Sequence, residues 1–334
     1  MKIGFFELEA WEERLIRQEL HGEEVTLVTQ KITQLCLPQT KDYELISVFV
    51  DSRIDKTVLD CFPNLKCIAT RSTGYDHIDI AECKKRGIAV LYVPGYGDNT
   101  VAEFTFGLIL NLTRKLYQSI DQIKETGSFS LTGLRGVDIK GKTIGIVGTG
   151  RIGREVVRIA KGFGMDILAY DPRPDAAFAQ ETRFSYVTLD ELFSRSDIIS
   201  LHCPYNKDTH HLINKTNIGK IKKGAYLVNT ARGPIVETEA LVEALQKGIL
   251  AGAGLDVLEE EGETKDELTI LALGHPQQEE LKTMLENHIL MRMPNVLVSP
   301  HNAFNSKEAL ERILAMTLMN IKSYLSGKLQ NIVP

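Results

Sequence analysis

The segment from Thr143 to Asp171 constrains the fold more than any other part of the chain. It reads TIGIVGTGRIGREVVRIAKGFGMDILAYD, in which an apolar run is followed by Gly148, Gly150 and Gly153 in G-x-G-x-x-G spacing. Apolar residues then recur at helical intervals, which predicts a strand, a tight turn and a helix. Because unpaired N–H groups at the start of such a helix favour an anion, the segment indicates a dinucleotide site.

The residue that ends the next predicted strand indicates which dinucleotide binds. The strand covers 166–170 and ends at Asp171, where a carboxylate can bind both hydroxyls of an adenosine ribose and would repel a 2′-phosphate. We therefore expect NAD and not NADP, a preference that Arg173 weakens without reversing. The alternative to a dinucleotide site is a glycine-rich turn of another kind of α/β protein. The order of strand, glycines, helix, second strand and acid favours the dinucleotide site.

Composition narrows the class of protein. A length of 334 residues suits two domains, and a net charge of −5 disfavours nucleic-acid or anionic-membrane partners. The five cysteines form no C-x-x-C pair, so we expect a reduced, cytoplasmic protein without a metal site. The N-terminal residues contain no long apolar stretch, and we expect neither a signal peptide nor a membrane span.

Short apolar runs alternate with helical patterns along the chain, which predicts parallel sheets covered on both faces. Strands are predicted in the first hundred residues at 2–7, 24–29, 45–50, 67–70 and 89–93. Further strands, which extend the fingerprint sheet, are predicted at 197–202, 225–230, 251–257 and 296–299. We expect a cofactor domain at 99–299. A last helix, from about Ser306, is expected to return to the first domain, which then comprises 1–98 and 300–334.

A long apolar helix is predicted to begin at Thr100 and to continue through Ile120. Its apolar side includes Val101, Phe104, Leu108, Leu112 and Leu116. Such a face is expected to be buried between domains or between subunits. We favour contact with a second copy, and hence a homodimer.

Polar residues follow several predicted strands, at the edge where α/β sheets bind ligands. The turn Ser72-Thr73-Gly74 either offers backbone N–H groups to an anion or is a plain connection. Arg232 can hold a substrate carboxylate through two parallel hydrogen bonds. His301, oriented by a carboxylate of the run Glu259–Glu261, would act as a general acid and base. Each residue alone also fits a surface role, but beside a nicotinamide the set predicts hydride transfer to C2 of a 2-oxo acid.

Five motifs are spread along the chain: GIVGTGRIG, SDIISLHCPYNKDTHHLIN, GAYLVNTARGPIVE, GLDV followed by acids, and NVLVSPHNAF. Together they resemble the D-isomer specific 2-hydroxyacid dehydrogenases. The resemblance implies two doubly wound α/β domains, a Rossmann NAD-binding domain inserted into a flavodoxin-like substrate domain. It also implies that Arg232, Glu261 and His301 are the catalytic residues, with Glu261 selected by the family spacing over its two acidic neighbours.

The same resemblance implies two sets of binding residues. The substrate set is Ser72, Thr73, Gly74, Tyr96, Arg232 and Phe304. The cofactor set is Gly148, Gly150, Arg151, Ile152, Gly153, Asp171, His202, Cys203, Pro204, Thr209, Thr230, Ala231, Asp256 and His301. Within the cofactor set, Asp256 is expected near the nicotinamide, and His202 is expected to be a pocket wall and not an acid.

The substrate prediction follows from one branch of the family. RSTGYDHID, the tyrosine before NTVAEFTFG, and Phe304 resemble the D-lactate dehydrogenases, so we expect pyruvate to be reduced to D-lactate. Two features differ from that branch. Asn305 occupies a position at which the D-lactate dehydrogenases commonly have an aromatic residue. In addition, the first-domain aromatic residue that helps to bound their lactate pocket is not identified in this sequence. Alternatives are a hydroxypyruvate/glyoxylate or 3-phosphoglycerate dehydrogenase, with Arg71 and Arg53 as candidate phosphate ligands, and an NAD-sensing co-repressor scaffold.

Overall fold

The computed structural model describes residues 1–261 and 278–334, which form two compact units. The first unit comprises Met1–Tyr96 and Ser306–Pro334, and the second comprises Gly97–Asn305. From the sequence we expected the chain to cross between domains at 98/99 and at 299/300. The second crossing therefore lies six residues later than expected, which assigns His301 to the second unit.

The helices and strands are numbered here in chain order. Those before the glycine fingerprint are β1 (Lys2–Phe5), α1 (Glu12–Glu19), β2 (Glu24–Leu27), β3 (Leu45–Val48), α2 (Lys56–Leu59), β4 (Cys67–Thr70), α3 (Ile80–Arg86), β5 (Ala89–Leu91), α4 (Asp98–Arg114) and α5 (Leu116–Thr126). The remainder are β6 (Thr143–Val147), α6 (Arg151–Gly162), β7 (Asp166–Tyr170), α7 (Ala176–Thr182), β8 (Ser185–Tyr186), α8 (Leu189–Arg195), β9 (Ile198–Leu201), β10 (Ala225–Asn229), α9 (Thr238–Gln246), β11 (Leu250–Leu255), α10 (Gln278–Arg292), β12 (Val296–Val298) and α11 (Lys307–Leu325). Two short 3₁₀ helices lie at Ile218–Lys220 and Gly233–Ile235.

The first unit is built on a five-stranded parallel sheet in the order β2-β1-β3-β4-β5. This is the flavodoxin-like order, as predicted. Side chains alternate between the two faces of a strand, so Leu45 faces one apolar cluster and Ile46 the other. Residues of α1 and α11, including Ile16 and Leu318, complete the first cluster. Residues of α2 and α3, including Val58, complete the second.

The second unit contains a seven-stranded parallel sheet in the order β12-β11-β10-β9-β6-β7-β8. Counted from β6, this is the Rossmann order with one additional strand at the β12 edge, which confirms the predicted fold class. The strand order reverses between β6 and β9, and ligands of such sheets bind beyond the carboxyl ends of the strands at that point. A ligand of this sheet is therefore expected at the turns after β6, β9 and β10.

The long helix expected from Thr100 is instead two helices. The chain adopts φ +51° at Lys115, which ends α4 and begins α5, and α4 starts at Asp98, before the expected residue. Residues of α4, among them Phe106 and Ile109, pack against α6, β10 and β11 in the core of the second unit. The part of the predicted face that carries Val101, Leu108 and Leu112 is therefore buried within its own unit, whereas Leu116 and Ile120 are exposed on α5.

Two shorter stretches complete the second unit. Between Asp171 and Asp197 the chain forms α7, the two-residue strand β8 and α8. Between β9 and β10 it forms only the 3₁₀ turn Ile218–Lys220. Within the described ranges, no helix is long and apolar enough to cross a membrane.

Candidate active site

The turn between β6 and α6 has the close packing that its glycines permit. Gly148 has φ +93°, and a Cβ atom there would lie 2.8 Å from the backbone nitrogen of Cys203. A Cβ atom on Gly153 would lie 2.0 Å from the carbonyl oxygen of Gly148. At Gly150, by contrast, a Cβ atom would meet nothing within 4 Å. The N-terminus of α6 thus has open space next to it, and its unpaired N–H groups fit a pyrophosphate there.

Asp171 is fixed beside this turn by its hydrogen bonds. Its Oδ2 accepts from the N–H of Thr149 at 2.8 Å and from the Thr149 hydroxyl at 3.1 Å. Its Oδ1 accepts from the N–H of Arg173 at 2.9 Å. The Thr149 hydroxyl also lies 2.8 Å from the hydroxyl of Tyr186. The carboxylate is held where it fits the hydroxyls of an adenosine ribose.

The loop after β12 wraps around the carboxylate of Asp256. One oxygen accepts hydrogen bonds from the Ser299 hydroxyl at 2.5 Å and the Asn302 N–H at 2.8 Å, and the other accepts from the Ala303 N–H at 2.8 Å. The N–H of His301 donates to the backbone carbonyl of Asp256, also at 2.8 Å. Burial raises the pKa of the Asp256 carboxyl, and the hydrogen bonds oppose that rise. This aspartate therefore fixes the backbone on both sides of His301.

The side chain of His301 pairs with Glu261. Its Nδ1 lies 2.6 Å from Oε1 of Glu261. Because an ionised carboxylate can only accept a hydrogen bond, the neutral imidazole carries its proton on Nδ1. The other ring nitrogen, Nε2, then has the lone pair that can accept a proton. His301 also has φ +52°, an uncommon and strained conformation for a residue other than glycine. The loop thus determines both the position and the tautomer of an acid–base group.

Arg232 follows β10 in a turn organised by Asn229. The side-chain amide of Asn229 donates to the Arg232 carbonyl at 2.9 Å, and Nη1 of Arg232 donates to the carbonyl of the preceding residue at 2.7 Å. A Cβ atom on the next residue, Gly233, would lie 2.0 Å from the carbonyl carbon of Leu258. The arginine turn therefore lies directly against the segment that leads into the three glutamates.

Comparison with known proteins agrees with this geometry. Residues 106–303 match the family model described as the NAD binding domain of D-isomer specific 2-hydroxyacid dehydrogenases. The chain belongs to this family. It is 40% identical to glyoxylate reductase of Thermofilum pendens over 300 residues, 88% of this chain and 81% of the relative. It is 33% identical to D-lactate dehydrogenase of Escherichia coli (strain K12) over 335 residues, 98% of each.

A solved structure from the family is also similar over nearly its whole length. D-lactate dehydrogenase from Aquifex aeolicus, complexed with NAD and lactic acid, aligns with a TM-score of 0.87 and 36% identity over 99% of each chain. As a D-isomer specific 2-hydroxyacid dehydrogenase, the chain is an NAD-dependent oxidoreductase that acts on the CH–OH group of 2-hydroxy acids. The prediction of NAD as cofactor is confirmed.

The structure distinguishes the three consecutive glutamates that sequence could not orient. Glu261 pairs with His301, as described above. Glu259 lies 2.6 Å from Nε2 of His211 and accepts hydrogen bonds from the N–H and hydroxyl of Thr238 at 2.8 and 2.6 Å. Glu260 is exposed and has φ +50°. The geometry therefore favours Glu261 as the residue that orients the histidine.

This assignment predicts unequal effects of the same substitution at adjacent positions. Glu261→Gln is expected to lower kcat by about 10²-fold or more, because the amide can also donate and no longer enforces the tautomer or stabilises an imidazolium. Glu260→Gln serves as the matched control and is expected to change kcat by less than about threefold. Steady-state reduction of a 2-oxo acid measures both, and equal losses would contradict the assignment.

The remaining candidates of the cofactor set begin α6 or follow β9 and β10. Arg151 and Ile152 begin α6, and Nε of Arg151 lies 2.9 Å from Asp98 Oδ2. After β10, Thr230 is buried with its hydroxyl 3.0 Å from that of Thr105, and Ala231 follows it.

The segment after β9 carries the other four, which are His202, Cys203, Pro204 and Thr209. The Thr209 hydroxyl donates to the Pro204 carbonyl at 2.7 Å and closes the loop. Burial lowers the pKa of His202 to about 3 and raises that of the Cys203 thiol to about 11. His202 is thus neutral at working pH, with Nε2 2.8 Å from the Ser200 hydroxyl, which suits a pocket wall better than an acid.

Of the six candidates for substrate binding, Arg232 and Phe304 lie in the second unit and four lie in the first. The rings of Phe304 and His301 are 6.5 Å apart in a T-shaped arrangement. The four in the first unit are Ser72, Thr73, Gly74 and Tyr96.

In the turn after β4, the Ser72 hydroxyl donates to the Gly74 carbonyl at 2.5 Å, and that of Thr73 donates to the Val93 carbonyl at 2.6 Å. Among described residues, the N–H groups of Thr73 and Gly74 form no hydrogen bond with one another or with a neighbour. The Tyr96 carbonyl accepts from Nε of Arg312 at 2.6 Å.

Sequence reasoning missed the contacts of three residues. Thr149, the variable residue between the first two fingerprint glycines, holds Asp171, and its hydroxyl-bearing side chain was the available signal. His211 pairs with Glu259, and nothing in the local pattern indicates that partner. Phe49 follows β3, and its ring lies 5.7 Å from the Arg71 guanidinium carbon. Within 1–261 and 278–334, no group of three His, Cys, Asp or Glu residues is placed to hold a metal ion.

Proposed function

We propose that the chain reduces pyruvate to D-lactate with NADH, and that Arg232, Glu261 and His301 are its catalytic residues. The observation that carries this proposal is the His301–Glu261 pair at 2.6 Å, on a loop that Asp256 fixes at several points. A bound NAD supplies the hydride acceptor or donor. Each other requirement of the reaction is assigned to a side chain or backbone group of the chain itself.

The protein groups have separate tasks in this proposal. The guanidinium of Arg232 binds the substrate carboxylate and polarises the adjacent carbonyl. During reduction the protonated ring of His301 donates its Nε2 proton to the carbonyl oxygen, and during oxidation the neutral ring accepts the hydroxyl proton at Nε2. In both directions Glu261 stabilises the imidazolium form. The N–H groups of the Ser72–Gly74 turn, which have no other hydrogen-bond partner among the described residues, bind carboxylate oxygens.

The choice of pyruvate draws on two kinds of support. The chain resembles enzymes named D-lactate dehydrogenase over almost its whole length. In addition, Arg71, one candidate ligand for a substrate phosphate, is 2% exposed and directs Nη2 to the carbonyls of Phe6 and Glu7. It is not accessible to a phosphate, which favours an unphosphorylated acid over 3-phosphohydroxypyruvate. Glyoxylate remains the alternative, since the relative with 40% identity is named a glyoxylate reductase.

The test is NADH oxidation followed by absorbance with pyruvate, glyoxylate, hydroxypyruvate, 3-phosphohydroxypyruvate and phenylpyruvate. We expect the highest kcat/KM with pyruvate and D-lactate as the product. A higher kcat/KM with another acid would replace pyruvate in the proposal. If none of the five acids is turned over, the result would instead favour the co-repressor-like scaffold, in which NAD binds without catalysis.

Asp171 is expected to set the cofactor preference. Asp171→Ser removes the acceptor for the ribose hydroxyls and the repulsion of a 2′-phosphate, so kcat/KM with NADH should fall about tenfold or more. The ratio of NADPH to NADH efficiency should rise by about 10²-fold. Asp166→Ser, at the exposed opposite end of β7, is the control and should leave the ratio unchanged. An unchanged ratio in Asp171→Ser would contradict the assignment.

We also propose that the enzyme is a homodimer and that α5, in place of α4, contributes to the contact. Leu116, Ile120 and Ile123 lie on one face of α5 and are 43–53% exposed. An apolar helix face of this kind is commonly covered by a partner. Sedimentation should give a dimer for the wild type and for Glu125→Lys, on the opposite face, and a monomer for Ile120→Glu. A dimeric Ile120→Glu would remove α5 from the interface.

A cytoplasmic location is proposed from the cysteines. All five are free thiols, namely Cys36, Cys61, Cys67, Cys83 and Cys203. Fractionation of the native cells would test this proposal.

A further inference from the structure

Arg71 is a buried arginine at the carboxyl end of β4, directly before the Ser72–Gly74 turn. Its Nη2 donates to the carbonyls of Phe6 and Glu7, both at 2.7 Å, and Nη1 is 3.3 Å from the Ser47 hydroxyl. Its Nε lies 3.6 Å from Glu12 Oε1, and the two side chains are only 3% and 8% exposed. A guanidinium is rarely buried unless every face finds such partners. The arginine thus joins the end of β4 to the ends of β1 and β3.

Glu7 makes a second set of connections from the same place. Its Oε1 accepts from the N–H groups of Phe49 and Ser52 at 3.0 Å, and its Oε2 accepts from that of Asp51 at 3.0 Å. Its backbone has φ +57°, which is strained for glutamate and is held by the surrounding bonds. Burial raises the pKa of this carboxyl, and the hydrogen bonds from Ser52, Phe49 and Asp51 together with the charge of Arg71 oppose that rise. The loop after β3 is therefore folded around the Glu7 carboxylate.

The two residues together connect three loops at one edge of the first sheet. Glu7 holds the loop after β3, Arg71 holds the backbone of residues 6 and 7, and Arg71 itself precedes the turn after β4. Phe49, with its N–H on Glu7 and its ring 5.7 Å from the Arg71 guanidinium carbon, belongs to the same network. Since the carboxyl edge of a parallel sheet is where ligands bind, these loops face the functional side of the unit.

We propose that Glu7 and Arg71 form a buried clamp, the Glu7–Arg71 clamp, which positions Phe49 and the Ser72–Gly74 turn for binding the 2-oxo acid. This inference rests on the proposed function of the turn. Neither residue touches the substrate, and both act through the backbone that they hold. Lysine cannot replace the arginine, because a single ammonium cannot present the planar fork that reaches two carbonyls, Ser47 and Glu12 together.

The clamp can be tested with Arg71→Lys in the full-length enzyme. We expect KM for pyruvate to rise about tenfold while kcat and KM for NADH change less than about threefold, because uniform binding of the acid is lost. Amide exchange followed by mass spectrometry should become about tenfold faster in peptides covering 49–52 and 72–74, and remain unchanged at 143–171. The control is Arg86→Lys, which replaces a different guanidinium of the same unit, one that is bound to the carboxylates of Asp60 and Glu82 at 2.6 and 2.7 Å.

A second variant separates positioning from general destabilisation. Glu7→Gln keeps the shape of the side chain. In either orientation of the amide, however, its –NH₂ group faces a backbone N–H that needs an acceptor. Exchange should rise at 49–52 more than at 72–74, since the contacts of Arg71 with backbone carbonyls remain. Unchanged amide exchange in both variants would overturn the clamp. So would variants that give a smaller yield of folded protein but have the wild-type KM for pyruvate. If the wild type turns over no 2-oxo acid, the proposed function fails, and the exchange data alone decide whether the loops are held as proposed.

Discussion

His301→Ala is expected to lower kcat for pyruvate reduction by about 10²–10⁴-fold, the usual contribution of a positioned general acid. The imidazole is held by Glu261 at 2.6 Å, and its loop is held by Asp256. The variant therefore removes the proposed proton donor and leaves the surrounding hydrogen bonds of Asp256 in place. NADH affinity, measured by fluorescence titration, should change less than about threefold, because Asp171 and the fingerprint turn are untouched.

The control for this experiment is His288→Ala, which removes an exposed histidine from α10 of the same unit. It should have wild-type kcat. If His301→Ala loses NADH affinity as strongly as it loses kcat, the histidine supports the cofactor site and another group must transfer the proton.

Arg232→Lys is expected to lower kcat/KM for the 2-oxo acid by about 10²–10³-fold. The positive charge is kept, but the two parallel hydrogen bonds to a carboxylate are lost, and such desolvated charge pairs contribute several kcal/mol, roughly 2–5. KM for NADH should be nearly unchanged. Arg195→Lys, an exposed position at the end of α8, is the matched control. Retention of wild-type kcat/KM by Arg232→Lys would show that Arg232 is not the carboxylate ligand.

Much of the second unit could be predicted because its signals are local. The fingerprint glycines, the acid at Asp171 and the alternation of strands and helices are all patterns of neighbouring residues, and they predicted the Rossmann sheet correctly. The break at Lys115 was not predictable in the same way, because lysine has no preference for φ +51° and the apolar pattern continues through it. The strand β8 is two residues long and too short to produce a period.

The parts of the site that sequence could not determine depend on distant partners. Three adjacent glutamates look alike in a pattern, and they differ only because His211 lies near Glu259 and His301 near Glu261. Arg71 was interpreted as a candidate phosphate ligand, since exposure cannot be inferred from residue type alone. Its burial follows from carbonyl acceptors supplied by residues 6 and 7, more than sixty positions earlier in the chain.

The return of α11 to the first sheet has a consequence for synthesis on the ribosome. Leu314, Leu318 and Ile321 of α11 complete the apolar cluster that covers one face of β1, β3 and β4. These residues are made more than 200 positions after Tyr96, so at about 5–20 residues per second that face waits roughly 10–45 s for its cover. The second unit, which is continuous in sequence, can complete its own core during that interval. The N-terminal sheet is therefore the segment most exposed to chaperones and to premature association while the chain is still being translated.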